Sequence, residues 1–359
     1  MEQPEEALPS DPMAPTYELV VFLALSGQAD RAVLLGRQAL AAAPPLPAAP
    51  EQLPMRHAVG LALSQLRQYD AALEVLTEAA VLAERAGSVD LLAVVWATAA
   101  WTEVRAGRPE AGLATLARSH RVLEREEPGR GTAVAATNLG LSATQLGLLD
   151  LGERWFRYAD EHFHLVPGLT RQCAHHGNFS ILEFEWGLAH EHAGRSAEAL
   201  DRYERCRRQG ELVGEYAAGD PVEGEPWRIV SEVSLGACEA KLGRPEEALR
   251  RFDAVLDAVD TQTVLITRCA AHLGRAWAAL GVDDLAGARE HGAAAVRVAD
   301  AVGYARWQAD AHRALAVAAG RAGDRAAESA HTARAADLLD ELGWQARLRR
   351  LGLSLGLTG

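Results

Sequence analysis

The chain has 359 residues, of which 49% are hydrophobic and 6% aromatic, and its formal net charge is −13. An acidic protein repels phosphate backbones, so nucleic acid is not expected as a direct partner. No stretch approaches the roughly 20 apolar residues that span a bilayer, so no membrane insertion is expected either. The hydrophobic residues are mainly Ala and Leu, which suits closely packed helices and predicts an all-α fold.

The first stretch, residues 1–15, reads MEQPEEALPSDPMAP and is acidic and rich in proline. This composition predicts a disordered tail. It is also the opposite of a signal peptide, which has a basic start and an apolar run. The expected location is therefore cytoplasmic.

A seven-residue spacing of small residues then recurs along the chain. Its clearest copies are Gly140/Gly147, Gly187/Gly194, Gly236/Gly243 and Gly274/Gly281. Five residues after the second mark comes another small residue, such as Ala199 or Ala248, and four residues later an aromatic residue or Leu. The pattern predicts hairpins of two antiparallel helices. The first mark lets the second helix approach, and the second mark ends the first helix where a positive φ costs little.

These marks, together with the segments KLGRPEEALRRFDAVL (241–256) and EHAGRSAEALDRYERC (191–206), resemble the tetratricopeptide repeat, or TPR. The resemblance covers about residues 16–345. It implies an α-solenoid superhelix of about eight antiparallel helical hairpins, in which each hairpin packs only on its neighbours. It also implies that residues 16–359 form a single domain.

The turn marks at 27, 67, 107 and 147 are 40 residues apart, and later marks follow at 194, 243, 281 and 323. The common TPR is about 34 residues long. The longer repeat is similar to the MalT-like TPR region of bacterial signalling and transcription regulators. The steps of 47 and 49 residues predict insertions near 162–170 and 214–227. Each is either neutral variation in loop length or a partner contact beside the fifth hairpin.

Histidines are concentrated in that fifth hairpin, since half of the twelve lie between His162 and His192. On one predicted helix, His176, Glu183 and His190 share a face, but each step of seven residues rises about 10.5 Å. Zinc ligands all lie about 2 Å from one ion, so these three cannot meet. No metal or other cofactor is therefore expected. The sequence leaves open the alternative that a neighbouring hairpin supplies further metal ligands.

The sequence contains no recognisable catalytic motif and no cysteine spacing typical of a metal site. It contains neither GxSxG nor the phosphate-binding GxxxxGK[ST] motif, and no Cys–His pair has a recognisable protease context. The four cysteines lack CxxC spacing, which predicts reduced, packed thiols. They are Cys173, Cys206, Cys238 and Cys269. We therefore expect a protein that is not an enzyme.

The TPR resemblance also implies which residues face a concave groove, because set positions of the first helix of each hairpin do so in that family. Carried onto this chain, the candidates are Trp101, Arg105, Thr137, Gln145, Phe184, Glu191, His192, Lys241, Arg268 and Arg275. They predict an apolar lining with scattered charges that binds a peptide or protein segment. Arg268 and Arg275 lie on one stripe of their helix and could grip a carboxylate.

Two functions remain open from the sequence. The first is a non-catalytic scaffold that binds a protein or peptide partner in bacterial signalling or transcription regulation. The second is a regulatory domain that senses a small ligand and controls a separate effector. Self-association into a homo-oligomer is compatible with either function, and nothing in the sequence identifies the partner.

Overall fold

The computed structural model describes residues 14–25, 28–43, 52–166, 168–220, 224–258, 265–302 and 305–341. Within these ranges the regular secondary structure is helical, which confirms the predicted all-α class. The helices fall into two compact units, Met1–Glu126 and Glu127–Gly359. Residues 1–13 of the predicted tail and the predicted turn at Gly27 lie outside the described residues.

The first unit contains three helical hairpins. Its helices are α1 Ala14–Leu25, α2 Ala29–Ala42, α3 Gln52–Gln65, α4 Tyr69–Ala86, α5 Val89–Arg105 and α6 Pro109–Leu123. Consecutive helices pack together, and α3 also contacts α1 and α5. This serial packing is the arrangement of a solenoid, and fully buried side chains such as Met55, Leu63 and Leu76 fill the space between the helices.

The second unit continues the same pattern. Its helices are α7 Arg130–Gln145, α8 Leu149–His162, α9 Leu169–His192, α10 Ser196–Ala217, α11 Glu225–Lys241, α12 Pro245–Ala258, α13 Leu265–Gly281, α14 Leu285–Val302, α15 Ala305–Arg321 and α16 Arg325–Glu341. The first helices of successive hairpins, α7, α9, α11, α13 and α15, contact one another in that order. They form one row of the unit. None of the described helices is both long and apolar enough to cross a membrane.

Left-handed residues end the first helices of the hairpins, as the sequence predicts. A positive φ of 72° to 79° occurs two positions after the last helical residue at Gly107, Gly147, Gly194, Gly243 and Gly323. The next backbone nitrogen donates to a carbonyl five residues earlier, as from Arg108 to Glu103 at 2.8 Å. This is the Schellman motif, which satisfies carbonyls that the helix end would leave unpaired.

One predicted mark is wrong by two residues. Gly281 is the last residue of α13, and the left-handed residue is Asp283, with a φ of 60°. Aspartate tolerates this conformation because its short side chain forms local hydrogen bonds. Asp283 lies 40 residues after Gly243 and 40 before Gly323, so the 40-residue period holds on both sides. The first mark of this hairpin accordingly moves from Gly274 to the buried Ala276.

The two long steps are accommodated largely by longer helices. Helix α9 has 24 residues and α10 has 22, whereas the other helices of this unit have 14 to 18. The predicted insertion at 162–170 contributes a short 3-10 helix, Phe163–Leu165, before α9 begins. The insertion at 214–227 overlaps the end of α10, and residues 221–223 lie outside the described residues. In a longer helix the added backbone N–H and C=O groups form hydrogen bonds within the helix, whereas those of an added loop need other partners.

The small first marks do allow close approach of the second helix, as predicted. A Cβ atom on Gly187 would lie 2.4 Å from Cε1 of Tyr203, and one on Gly140 would lie 2.9 Å from Cδ2 of Phe156. Phe252 is enclosed on two sides, by Gly236 of its own hairpin and by Gly274 of the next. The repeat is therefore built on large side chains of second helices that pack against glycine.

Substituting Gly274 with alanine is expected to lower the free energy of unfolding by about 1–3 kcal/mol, because the added methyl overpacks the core. The new Cβ would lie 2.2 Å from Cζ of Phe252, which is fully buried. Gly177→Ala is the control, since its Cβ would lie 3.8 Å from the nearest atom, on Val230. That change should be neutral or stabilise by up to about 1 kcal/mol. Equal effects in urea unfolding would contradict the close approach.

The four cysteines are buried and unpaired with one another, as the sequence predicts. Burial raises the pKa of the Cys173 and Cys269 thiols to about 12. A thiol with so high a pKa is protonated at neutral pH and is therefore a poor nucleophile and a poor metal ligand. The cysteines act as small apolar side chains in this fold.

Candidate functional site

A groove with a volume of about 380 Å³ crosses the row of first helices in the second unit. The first helices α9, α11, α13 and α15 line it, together with Cys206 of α10, and it is called the α9–α15 groove below. Its apolar lining includes Ile181, Phe184, Leu188, Val233, Ala237, Leu273, Trp277 and Trp307. Its charged lining is Glu185, Glu191, Lys241, Asp310 and Arg313.

The apolar floor follows from helical periodicity. Ile181, Phe184 and Leu188 are three and four residues apart, which places them on one face of α9. Ile181 is 43% exposed, so this face is not covered by another helix of the unit. The floor continues through Trp277 of α13 to Trp307 of α15. Each hairpin therefore contributes its own apolar stripe, and stacking of the hairpins joins the stripes into one surface.

A tyrosine, a carboxylate and the single lysine of the chain meet at one edge of the groove. The Tyr203 hydroxyl donates to Oε2 of Glu191 at 2.6 Å, and Nζ of Lys241 donates to the same oxygen at 2.9 Å. Burial and the neighbouring Glu191 raise the pKa of Tyr203, so its hydroxyl stays protonated and donates. Through these two hydrogen bonds, Glu191 links α9 to Tyr203 of α10 and to Lys241 of α11. The positive charge of Lys241 and the negative charge of Glu191 lie side by side.

Trp277 is an anchored aromatic side chain of the groove. Its indole Nε1 donates to Oδ2 of Asp310 at 3.2 Å, and Nη1 of Arg313 donates to Oδ1 of the same carboxylate at 3.2 Å. Lys241 Nζ and Arg313 Cζ lie 6.0 Å and 5.9 Å from the Trp277 ring centroid. Cations at this distance are attracted to an aromatic face. The ring is therefore held in place while part of it stays accessible.

Three of the ten predicted groove residues line this cavity, namely Phe184, Glu191 and Lys241. Thr137 is buried instead between α7 and α9, where its Oγ1 lies 3.0 Å from Nδ1 of His175. Gln145 is half-buried at the end of α7, outside the lining. The side chain of His192 lies outside the described part of the chain.

The predicted carboxylate-gripping pair on α13 does not face the groove. Arg275 Nε donates to Oδ1 of Asp253 on α12 at 2.5 Å, and Arg268 is also outside the lining. His272, on the same stripe, meets His291 of α14 with their Nδ1 atoms 2.9 Å apart. Arg268 and Arg275 were predicted to face the groove because the turn of this hairpin was placed at Gly281, two residues too early. When the turn is placed at Asp283, the expected groove positions of α13 become Ala270, Leu273 and Trp277. All three do line the groove.

Two further groove residues follow from Gly323, a turn mark that the sequence placed correctly. In α9, Ile181 and Phe184 lie 13 and 10 residues before the turn glycine Gly194. The residues at the same intervals before Gly323 are Asp310 and Arg313 of α15, and both line the groove. The family positions thus describe the groove well once the turn is correctly placed. Trp307 follows no such position and is found only in the folded structure.

Trp101 and Arg105 belong to the first unit and are described within it. The Arg105 guanidinium carbon lies 4.8 Å from the Trp101 ring centroid and 5.6 Å from that of Tyr69. Both rings therefore lie within the range of cation–π attraction. This cluster joins α5 to the start of α4.

A buried ionic network lies beside the groove, where α8, α9 and α10 meet. Arg202 Nη1 donates to Oε2 of Glu183 at 2.9 Å and to Oε1 of Glu153 at 3.1 Å. The Arg202 guanidinium carbon also lies 3.9 Å from the Trp186 ring centroid. Burial raises the pKa of Glu183, and the Arg202 guanidinium opposes that rise. The network links the three helices, because Glu153, Glu183 and Arg202 come from α8, α9 and α10 in turn.

Three of the six histidines between His162 and His192 have structural roles at helix ends. The Nδ1 atoms of His162 and His164 bond the carbonyls of Tyr158 and Glu161 near the end of α8, and His190 Nδ1 accepts from Arg195 Nε at 2.9 Å. These contacts satisfy polar groups at helix ends.

No protein-family model matches the chain, and no curated protein matches it. Among solved structures, the chain is similar to the crystal structure of Ton1535 from Thermococcus onnurineus NA1. The sequence identity is 14%, the match covers 92% of this chain and 99% of that one, and the TM-score is 0.32. Likeness at this level carries no argument about function.

Proposed function

We propose that the chain is a non-catalytic, TPR-like interaction module whose α9–α15 groove binds a peptide or protein segment, in bacterial signalling or transcription regulation. The observation that carries the proposal is the groove with an apolar floor that is lined by four consecutive hairpins. An accessible apolar surface bordered by charged groups is the usual form of a peptide-binding groove. The TPR and MalT-like resemblance of the repeats supports the same interpretation.

The dimensions of the groove suit a short segment. Packed helices lie about 8–10 Å apart, so the row from α9 to α15 is about 25–30 Å long. That length takes about eight residues of extended chain, at about 3.3 Å each, or an amphipathic helix of about 18 residues. Apolar side chains of the segment would contact Phe184, Leu188 and Trp277. Its charged side chains would meet the Glu191–Lys241 and Asp310–Arg313 pairs at the edge.

Trp277→Ala is expected to weaken peptide binding by at least about 2 kcal/mol, roughly thirtyfold, because a buried aromatic anchor dominates such an interface. Peptides would be selected on the wild-type protein from a random display library, and their affinity would then be measured for both proteins. Trp96→Ala, in the first unit, is the matched control and should leave the affinity unchanged. Peptides that bind Trp277→Ala as tightly as wild type would place their site elsewhere.

Lys241 offers a second readout, because it is the single lysine of the chain. An amine-reactive acetylating reagent modifies this side chain and the terminal amine, and mass spectrometry separates the two products. A bound peptide in the α9–α15 groove should slow acetylation of Lys241 and leave the terminal amine unaffected. Unchanged rates at saturating peptide would contradict the assignment of the groove.

A small ligand is the second candidate for the same groove. The cavity volume of about 380 Å³ lies at the lower end of the range for small-molecule sites, roughly 300–1,000 Å³. A compound that stabilises the protein in a thermal-shift screen and protects Lys241, while no selected peptide does so, would favour the sensing function.

A further inference from the structure

We propose that Asp160, His175 and His176 form a binding site for a divalent transition-metal ion of the zinc type. Asp160 comes from α8, and the two histidines are adjacent in α9. One ligand atom from each residue lies within 4.8 Å of the other two. Two imidazoles and one carboxylate are ligands that suit Zn²⁺, Ni²⁺ or Fe²⁺, and an ion bound by three protein groups keeps a position for water. None of the three residues lines the α9–α15 groove.

The distance between the first two ligands suits a metal ion. His175 Nε2 and Asp160 Oδ1 are 3.4 Å apart. Two ligands about 2.0–2.1 Å from a tetrahedral zinc ion are separated by roughly 3.3 Å. An ion can therefore occupy the space between these atoms with little movement of either helix. A shift of His176 towards them completes the set of three.

Hydrogen bonds on the far side of both rings hold the metal-binding nitrogens free. Oγ1 of Thr137 lies 3.0 Å from Nδ1 of His175 and 3.3 Å from the Ala133 carbonyl oxygen, so it can accept from Nδ1 when its own hydrogen is donated to that carbonyl. His176 Nδ1 lies 2.8 Å from Oε1 of Gln209, an oxygen that can only accept. With Nδ1 of each ring donating to its outer partner, the lone pair of each Nε2 is available to an ion. Histidine ligands of metal ions are oriented by such outer partners.

Aromatic stacking further fixes the two imidazoles. Phe163 stacks on His175 with ring centroids 4.3 Å apart, and Tyr216 stacks on His176 at 5.4 Å. The His175 side chain is fully buried, whereas that of Asp160 is 52% exposed. The site is thus enclosed around His175 and open to solvent at the carboxylate, which provides an entry path for the ion.

The contact between His175 and Asp160 has two possible occupants. Either a hydrogen on Nε2 of the neutral His175 ring is donated to Oδ1 of Asp160, or a metal ion lies between the Nε2 lone pair and the carboxylate. The ion uses the lone pair of His176 as well, whereas the proton does not. The two occupants therefore differ in whether His176 contributes.

The test is zinc binding by the full chain after removal of metal with a chelator. Titration against a chromophoric competitor should show one equivalent bound, and Asp160→Asn and His176→Gln should each weaken binding by at least about a hundredfold. Thr137→Val and Gln209→Ala, which remove the outer hydrogen bonds, should weaken it about 10–100-fold. Zinc should also raise the melting temperature of the wild type and not that of Asp160→Asn.

Asp160→Asn keeps the size of an exposed side chain, so it should fold, which circular dichroism will verify. The double change His312→Gln/His331→Gln is the control, because it removes two histidines whose Nδ1 atoms are 3.0 Å apart elsewhere in the same unit. It should bind zinc as the wild type does. Absence of stoichiometric zinc, or unchanged affinity in both Asp160→Asn and His176→Gln, would overturn the proposal and leave a proton between His175 and Asp160.

Discussion

Replacing Arg202 with methionine is expected to lower the free energy of unfolding by about 3–5 kcal/mol, the usual cost of removing one partner from a buried ion pair. Arg202 is paired with Glu183, which is 3% exposed, and with Glu153, which is 17% exposed. Methionine retains the apolar stem of the side chain, so the loss reports the charge and its hydrogen bonds. Glu183 would remain as a buried carboxylate without its guanidinium partner. Urea unfolding followed by circular dichroism measures the change.

Arg157→Met is the matched control. Arg157 pairs with the same Glu153, at 2.7 Å, but is 59% exposed. An exposed pair contributes at most about 1 kcal/mol. In addition, the double variant Arg202→Met/Glu183→Leu should recover much of the lost stability, because it removes the unpaired charge as well. If the double variant is less stable than Arg202→Met alone, the loss arises from packing and not from the stranded carboxylate.

Acidification from about pH 7 to about pH 4 is expected to remove about 3 kcal/mol of stability through His57 alone. Burial lowers the pKa of His57 to about 4, from the ordinary histidine value of 6.5. Between these values the unfolded chain binds a proton that the folded chain does not bind. Stability therefore falls as the pH falls through this window, and it is restored as the pH rises above 6.5.

His57 is uncharged in the fold because its surroundings favour the neutral ring. Burial withholds the water that would stabilise a charged ring, and the side-chain polar contact of its Nε2 is with the neutral hydroxyl of Thr98, at 2.9 Å. In the second unit, burial and the neighbouring His291 lower the pKa of His272 to about 4, and burial also lowers the pKa of His312. These groups act in the same direction on stability.

The measurement is a series of urea unfolding curves across this pH range for the wild type and His57→Gln. Glutamine keeps a hydrogen-bond donor and does not titrate, so the variant should lose about 3 kcal/mol less on acidification. Comparison at about pH 8 isolates the cost of the substitution itself. If both proteins have the same pH dependence, the proton uptake belongs to other groups.

Much of the fold could be predicted because it depends on neighbours in the chain. The small marks, the apolar spacing and the left-handed turns each involve residues within one hairpin, so they repeat visibly in the sequence. Gly107, Gly147 and Gly194 adopt the positive φ that the pattern required. The prediction was wrong where another residue took that role, at Asp283, and the error displaced Arg268 and Arg275 from the groove. Correct placement of one turn therefore determined most of the candidate site in α13.

By itself, the sequence determined the class of the fold, the hairpin repeat and the groove face of α9, because local sterics and helical periodicity suffice for these. Only the tertiary structure decided which side chains from different helices meet. Asp160 reaches His175 from the preceding hairpin, and Arg202 joins carboxylates of two other helices. These contacts depend on how far each helix extends and how it packs on the next. The three histidine and glutamate positions that share a stripe of α9 do not meet, because the helix separates them along its axis. The adjacent pair His175 and His176 becomes a candidate metal site only because α8 packs alongside it.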